Sequence, residues 1–293
     1  IATLVNSHSD GDHWWGNQEL AGAEIVATDA AAAVMREESP AQMQRFGGLA
    51  RALRLAGSSP VPYPRRGDVR AIAAYVGGAL APFAFGDVRL VRPTRTFSGE
   101  LALDAGGREV RLIEVGPAHT PGDLIAWVPD ARVAIAADIL FVGVTPIMWA
   151  GPLEHWVAAL ERCLALGAER FVPGHGPVCG PEEVERLIGY WRWLDRAATR
   201  RLDAGLSPAD TARELVLGEE IAELGFAGWL APERALISVA TIDAHRRGTA
   251  GQPGPRDLIA AFFRMALLAR DLQNGRRPPG GGRRSRAGEP RPT

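Results

Sequence analysis

The chain contains no lysine. All 33 of its Lys and Arg residues are arginine, which reads as compositional bias of the source genome rather than as a functional signal. Cysteine is nearly absent: Cys163 and Cys179 cannot build a disulfide framework or a cysteine-rich zinc knot, and are expected as reduced thiols. No run of about 18 apolar residues occurs, so no membrane span is expected. Ile1 to Val5 passes straight into polar residues, so no signal peptide is expected either. An initiating Met is also lacking. The chain opens on what reads as the middle of a β-strand, so the expectation is an N-terminally incomplete protein.

Net charge is nearly absent as well, at −1, but it is unevenly placed. Residues 274–293 carry six Arg against one Glu, a surplus of five, which leaves −6 for the rest. A mildly acidic body argues against a nucleic-acid partner. The composition, 46% hydrophobic and 23% charged, is that of a globular protein and excludes a wholly disordered chain. The length of 293 residues is that of about two domains.

Along the chain, β-prone runs alternate with helical ones. Strands are expected at Ile1–Val5, Ala23–Thr28, Val88–Val91, Glu100–Leu103, Val110–Val115, Leu124–Val128, Arg132–Ala137 and Arg170–Val172, with Gly106-Gly107 as a hairpin turn. Helices are expected from Trp14 to Leu20, from Ala30 to Glu38 with Asp29 as cap, and from Pro152 to Leu166. Further helices are expected over Glu182–Leu202, Pro208–Leu215 and Arg256–Leu272. Residues at about 40–82 read as an inserted helical segment, with a Gly/Ser/Pro break at Gly57–Pro64. The pattern points to an α/β domain over 1–180, a helical extension over 181–273, and a disordered Arg/Pro/Gly-rich tail over 274–293.

Chemistry concentrates in four places, each after a β-prone run. They are His8-Ser9-Asp10-Gly11-Asp12-His13, His119 in Gly116-Pro117-Ala118-His119-Thr120-Pro121-Gly122-Asp123, Asp138, and His175 in Val172-Pro173-Gly174-His175-Gly176-Pro177. Strand ends of one sheet lie close together, so distant loops can converge on one site. Imidazole and carboxylate together are donors for zinc, iron or manganese. Small spacers such as Ser9 and Gly11 let one tight loop present several donors. Carboxylates crowded this way would take up protons without a cation between them.

The pattern resembles the metallo-β-lactamase-fold hydrolase superfamily, whose motif is His-x-His-x-Asp-His followed by a single His, a bridging Asp and a last His. The resemblance covers roughly residues 1–180. It implies an αββα sandwich with its first strands missing, since members place further β-hairpins before the first motif. It implies two divalent metal ions, most often zinc, with iron and manganese also suited to the donors. One ion would take His8, Asp10 and His119, the other Asp12, His13 and His175, with Asp138 bridging. The implied reaction is attack of a metal-bound hydroxide on an ester, thioester, lactone or related bond, with catalytic roles for Asp12 and Asp138. This chain departs from the family at one position: Asp10 stands where the second His is usual. That change makes the first site two His and one carboxylate and reduces the pull on anionic substrates. Two alternatives follow, a mononuclear iron oxygenase of the same fold and a non-catalytic metal-binding module.

A small-molecule substrate, no nucleic acid and no membrane are the expected partners, with a homodimer left open and cytoplasmic location as the default. Outside the motifs, His155 and His245 are expected at or near the surface. Trp14 and Trp15 are expected in the core or lining the pocket, and Pro146–Trp149 as a hydrophobic pocket wall. Phe97 and Asp123 are candidate supports of the site. The segment at 40–82 either caps the pocket or only covers the sheet.

Overall fold

The computed structural model describes residues 1–59, 64–251 and 254–275. Most of the expected tail, residues 276–293, and part of the Gly57–Pro64 break therefore lie outside the described residues. In chain order the elements are β1 (Thr3–Val5), α1 (Gly11–Trp14), a 3-10 turn (Trp15–Leu20), β2 (Glu24–Thr28) and α2 (Asp29–Met35). Next come α3 (Pro40–Ser58), α4 (Arg66–Leu80), β3 (Arg95–Phe97), β4 (Glu100–Asp104), β5 (Glu109–Glu114), β6 (Leu124–Val128) and β7 (Val133–Phe141). They are followed by α5 (Leu153–Ala165), β8 (Arg170–His175), α6 (Pro181–Asp203), α7 (Pro208–Leu217), α8 (Glu220–Glu223), α9 (Ala235–Arg246) and α10 (Pro255–Gln273).

Two sheets face each other. One is the parallel trio β1-β2-β3. The other runs β4-β5-β6-β7-β8, antiparallel except for the parallel β7–β8 pair. Alternation along the strands explains the layering, because neighbouring side chains point to opposite faces. Leu112 and Leu124 meet Val26 and Phe97 between the sheets. Their neighbours Ile113 and Ile125 turn the other way, towards Trp156, Leu160 and Trp191 of α5 and α6. The outer face of the first sheet is covered by Trp14, Ala31 and Met35 packed on Ala27. The result is helix, sheet, sheet, helix, in agreement with the expected sandwich.

Helix α6 buries Val184, Leu187, Ile188, Trp191 and Leu194, the spacing of one helical face. Each large side chain so buried contributes roughly 1.5–3 kcal/mol. Its residues belong to the same apolar cluster as the strands, so packing is continuous across residue 180. The expected insertion is a helical hairpin, α3 and α4, seated on α10 through Phe46, Val76 and Phe262. Tyr75 donates a hydrogen bond to Glu233 at 3.0 Å, and Arg270 pairs with Asp68. Cys163 and Cys179 are free thiols, as expected. Among the described residues no helix is long and apolar enough to cross a membrane.

Four expectations change. Thr28, not Asp29, caps α2, because its hydroxyl accepts the Ala31 amide. Val88–Val91 is not a strand. Its backbone is satisfied by side chains of the 3-10 turn, with Gln18 accepting the Arg89 amide and Asn17 donating to the Val91 carbonyl, which removes the need for a sheet partner. The strand that pairs with β2 is instead β3, in which Phe97 alone is buried. Helix α9 was not expected; its β-branched Ile, Val and Thr are weak helix formers.

Candidate metal centre

The first loop is set by a pair of buried amides. Asn6 and Asn17 exchange hydrogen bonds at 2.9 and 3.0 Å, so β1 turns sharply into α1. Gly11 is required there, because a Cβ would lie 2.4 Å from the Trp15 ring. The loop places His8 in the interior and sets its ring centroid 4.1 Å from that of His13 on α1. Ser7 holds the other side of the His8 ring, Oγ to Nδ1, at 2.9 Å.

The His119 loop is closed by Asp123, whose carboxylate accepts from the Ala118 amide and from the amide and hydroxyl of Thr120. Asp123 therefore supports the site as expected, whereas Phe97 belongs to the core between the sheets. The His119 Nδ1 lies 2.7 Å from the Ile147 carbonyl. A carbonyl can only accept, so Nδ1 carries a proton, and Nε2 is the nitrogen that faces the centre and offers its lone pair there once deprotonated.

Asp138 stands inside β7 rather than after its end, contrary to expectation. The strand is irregular at that point: Ala137 has φ of +46°, and the pairing with β8 shifts on both sides of it. Such a conformation is costly for a residue with a side chain and is characteristic of functional sites. It turns Asp138 towards the histidines. Gly174 makes room, since a Cβ there would sit 1.9 Å from the Asp138 carboxylate. His175 ends β8, stacked on Phe141 with ring centroids 4.8 Å apart.

All seven expected residues are thus neighbours, but not equally. His119 Nε2 lies 3.2 Å from Asp10 and 3.6 Å from Asp138. His13 Nε2 is 3.6 Å from Asp138 and 3.5 Å from Asp12, and His175 Nε2 is 3.3 Å from Asp138. Among the described residues, two triplets have donors within 4.8 Å of one another: His8, Asp10 and His119, and His8, His13 and Asp138. Asp12 and His175 stand at the margin. Three atoms, His8 Nε2, His119 Nε2 and Asp138 Oδ1, are buried without a hydrogen-bond partner. Leaving such atoms unsatisfied costs about 1–3 kcal/mol each, and a divalent cation among them would satisfy all three. The donor set fits a metal.

The metallo-beta-lactamase superfamily model matches residues 1–175. The chain belongs to this superfamily. A linear primary-alkylsulfatase of Pseudomonas sp. (strain ATCC 19151) is 28% identical over 160 residues, covering 50% of this chain and 30% of that protein. The alpha subunit of the 2,4-dinitroanisole O-demethylase of Nocardioides sp. (strain JS1661) is 33% identical over 117 residues, covering 38% of this chain and 34% of that protein. The chain spans about a third of the length of these curated relatives. A metallo-beta-lactamase family protein from Thermus thermophilus superposes with a TM-score of 0.52 at 18% identity, covering 87% of this chain and 78% of that one, which bears on the fold.

Within this superfamily member the charges around the centre are strongly shifted. Burial, reinforced by His119, pushes the His8 pKa down to about 3, so its ring is neutral at pH 7. Burial also opposes charge on His119, but the adjacent Asp10 carboxylate overcomes it and lifts the pKa to about 10. Asp138 is held well below the usual range: burial works against ionisation, and the surrounding histidines outweigh it.

A cavity of about 360 Å³ opens beside the donors, with Asp10 and Asp12 in its lining. Trp15, Met43, Leu80, Phe83, Phe85 and Trp149 line it. The segment at 40–82 therefore contributes to the pocket wall, and the two adjacent tryptophans divide the roles: Trp14 is core and Trp15 is wall. Glu38, which the sequence did not single out, accepts both indole N–H groups at 3.1 Å. Burial, together with the nearby Asp10, lifts its pKa to about 7. His155 is exposed on α5, as expected. His245 is not free at the surface; it is half-buried, with Nε2 2.7 Å from the Ala150 carbonyl.

Proposed function

We propose that this chain performs metal-dependent hydrolysis of an ester, thioester, lactone or related bond on a substrate with an apolar body. The observation that carries the reading is the cluster of unpartnered buried donors, His8, His119 and Asp138, beside an apolar cavity. In this reading His8, Asp10 and His119 hold one ion, His13 with Asp12 and His175 holds the other, and Asp138 lies between. A bound divalent ion lowers the pKa of water towards about 7 and polarises the substrate oxygen.

The chain's own groups do the rest. The Ile147 carbonyl keeps His119 in the tautomer that faces the site. Asp12, more than half exposed and in the lining of the cavity, is placed to accept a proton from the attacking water. Trp15, Phe85 and Trp149 hold the apolar part of the substrate and exclude bulk water. The names of the relatives, an alkylsulfatase and an O-demethylase of an anisole, agree with a bond to oxygen next to an alkyl or aryl group. Among the described residues the cavity lining includes no arginine, which favours neutral esters over anionic ones here.

Metal content by mass spectrometry, together with a panel of aryl and alkyl esters, tests the reading. Expected are about two divalent ions per chain and ester hydrolysis that a chelator abolishes and added metal restores. A well-folded protein without metal would overturn it. A second reading, a single iron centre with oxygenase chemistry, is favoured by the convergence of His8, Asp10 and His119 as two imidazoles and one carboxylate. One iron per chain and no ester turnover would select it.

A further inference from the structure

Every expected metal donor lies before residue 176, yet the segment that holds the ring of His119 is itself bonded to a helix much later in the chain, α9. The Ile147 carbonyl that fixes its tautomer belongs to the segment 146–151, and the same segment donates backbone N–H groups back to the His119 loop. Trp149 and Ala150 donate to the His119 carbonyl at 3.0 and 3.1 Å, and Gly151 donates to the Ala118 carbonyl at 2.9 Å. The far side of this segment meets three polar side chains of α9. Ser238 Oγ accepts the Met148 amide at 3.2 Å, Thr241 Oγ1 donates to the Met148 carbonyl at 2.8 Å, and His245 Nε2 lies 2.7 Å from the Ala150 carbonyl. The spacing of 238, 241 and 245 puts them on one face of the helix. Gly151, at φ of +64°, lets the two surfaces approach, since a Cβ there would stand 3.0 Å from His245 Nε2.

We propose that α9 is a positioning element of the metal centre: Ser238, Thr241 and His245 clamp segment 146–151, and that segment orients the His119 ring and sets Trp149 in the pocket wall. Packing alone does not call for these side chains. Leu236, Val239 and Ile242 supply the apolar contacts of α9, while polar groups buried in such a helix cost free energy unless they are bonded. The inference concerns how His119 is held, and it rests on the metal-centre reading only for its affinity readout.

The test uses the full chain with Thr241→Val, His245→Ala, their double variant, and His245→Gln, whose amide N–H reaches the same carbonyl. Zinc affinity is measured by chelator competition, and the imidazole Nδ1 proton of His119 is followed by nitrogen-15 NMR in the metal-free protein. The double variant is expected to bind zinc about 10-fold or more weakly, as for other partners that orient a ligand, and to exchange the Nδ1 proton faster. His245→Gln, unlike His245→Ala, is expected to keep both at the wild-type level. A double variant that melts at lower temperature yet keeps wild-type zinc affinity and a protected Nδ1 proton would overturn the proposal. If the double variant does not fold, Thr241→Val, which lacks one hydroxyl, decides by the same two readouts. A wild type without zinc affinity would strike at the metal-centre reading, while the imidazole signal would still decide the clamp.

Discussion

The two halves of the site are built differently. His8 and His119 lie in the interior, their rings held by Ser7 and by the Ile147 carbonyl, and the His119 loop is tied down by Asp123. His175 and Asp12, at 36% and 56% side-chain exposure, stand at the margin, and neither belongs to a convergent triplet. The buried half is organised before any ion arrives, and the open half has freedom to adjust. Pre-organised donors lose little conformational freedom on binding, whereas exposed donors must be ordered by the ion itself. Under the proposed two-ion reading, the comparison implies unequal sites, with the first filling more tightly.

The largest expected effect separates the halves directly. His119→Ala should weaken the tighter ion by more than about 100-fold, beyond the range seen for residues that only orient a ligand, whereas His175→Ala should weaken the second ion by about 10-fold. Competition titrations with a chromophoric chelator measure both. Equal losses would erase the distinction. Next, Asp10→Ala should remove one ion per chain by mass spectrometry, while Asp12→Ala should weaken the second ion about 10-fold, as His175→Ala does, and lower turnover. Asp10→His, which restores the residue usual in the superfamily, should keep the ion.

A smaller effect is expected in the proton balance. In the metal-free protein His8 is already neutral at pH 7, but His119 keeps its proton until about pH 10. Filling the buried half at pH 7.5 should therefore release about one proton, read by calorimetry in buffers of different ionisation heat. Stability follows the same signs. The folded pKa of His119 is raised above its unfolded value of about 6.5, so its contribution is complete below that pH and lost as pH rises through about 10. The folded pKa of His8 is depressed, so its contribution is present above about 6.5 and lost as pH falls towards about 3.

The smallest effect concerns the pocket wall. The raised pKa of Glu38, about 7, means that its contribution fades as pH rises through that value. In the metal-free protein Glu38→Gln should raise the melting temperature by about 2–4 °C at pH 8 and change nothing at pH 5. A uniform shift at both pH values would show that the two indole contacts, not the charge, dominate.

Particular residues show how far sequence reading reaches. The donors were legible because each motif is local: His and Asp among Gly, Ser and Pro, after a β-prone run. The sandwich was legible only through the family resemblance that the motifs carry; the order of β-prone and helical runs by itself reached no further than an α/β domain with a helical extension. The Ile147 carbonyl was not legible, because a backbone oxygen is present at every position and nothing in the residue type marks it. The positive φ of Ala137 and the place of Asp138 within β7 were hidden for a similar reason: the irregular pairing with β8 shapes them, not local preference. Glu38 and His245 gave no signal, since their partners lie 23 and 95 positions away.

By itself, then, the sequence determined which candidate donors there are, their order and the loops that carry them, because ligand chemistry resides in single side chains and their immediate neighbours. The tertiary structure decided which donors converge, which way the His119 ring faces, and that α3, α4 and α10 wall the cavity. Those outcomes depend on burial and on contacts between segments far apart in the chain, and such contacts exist only once the layers have packed.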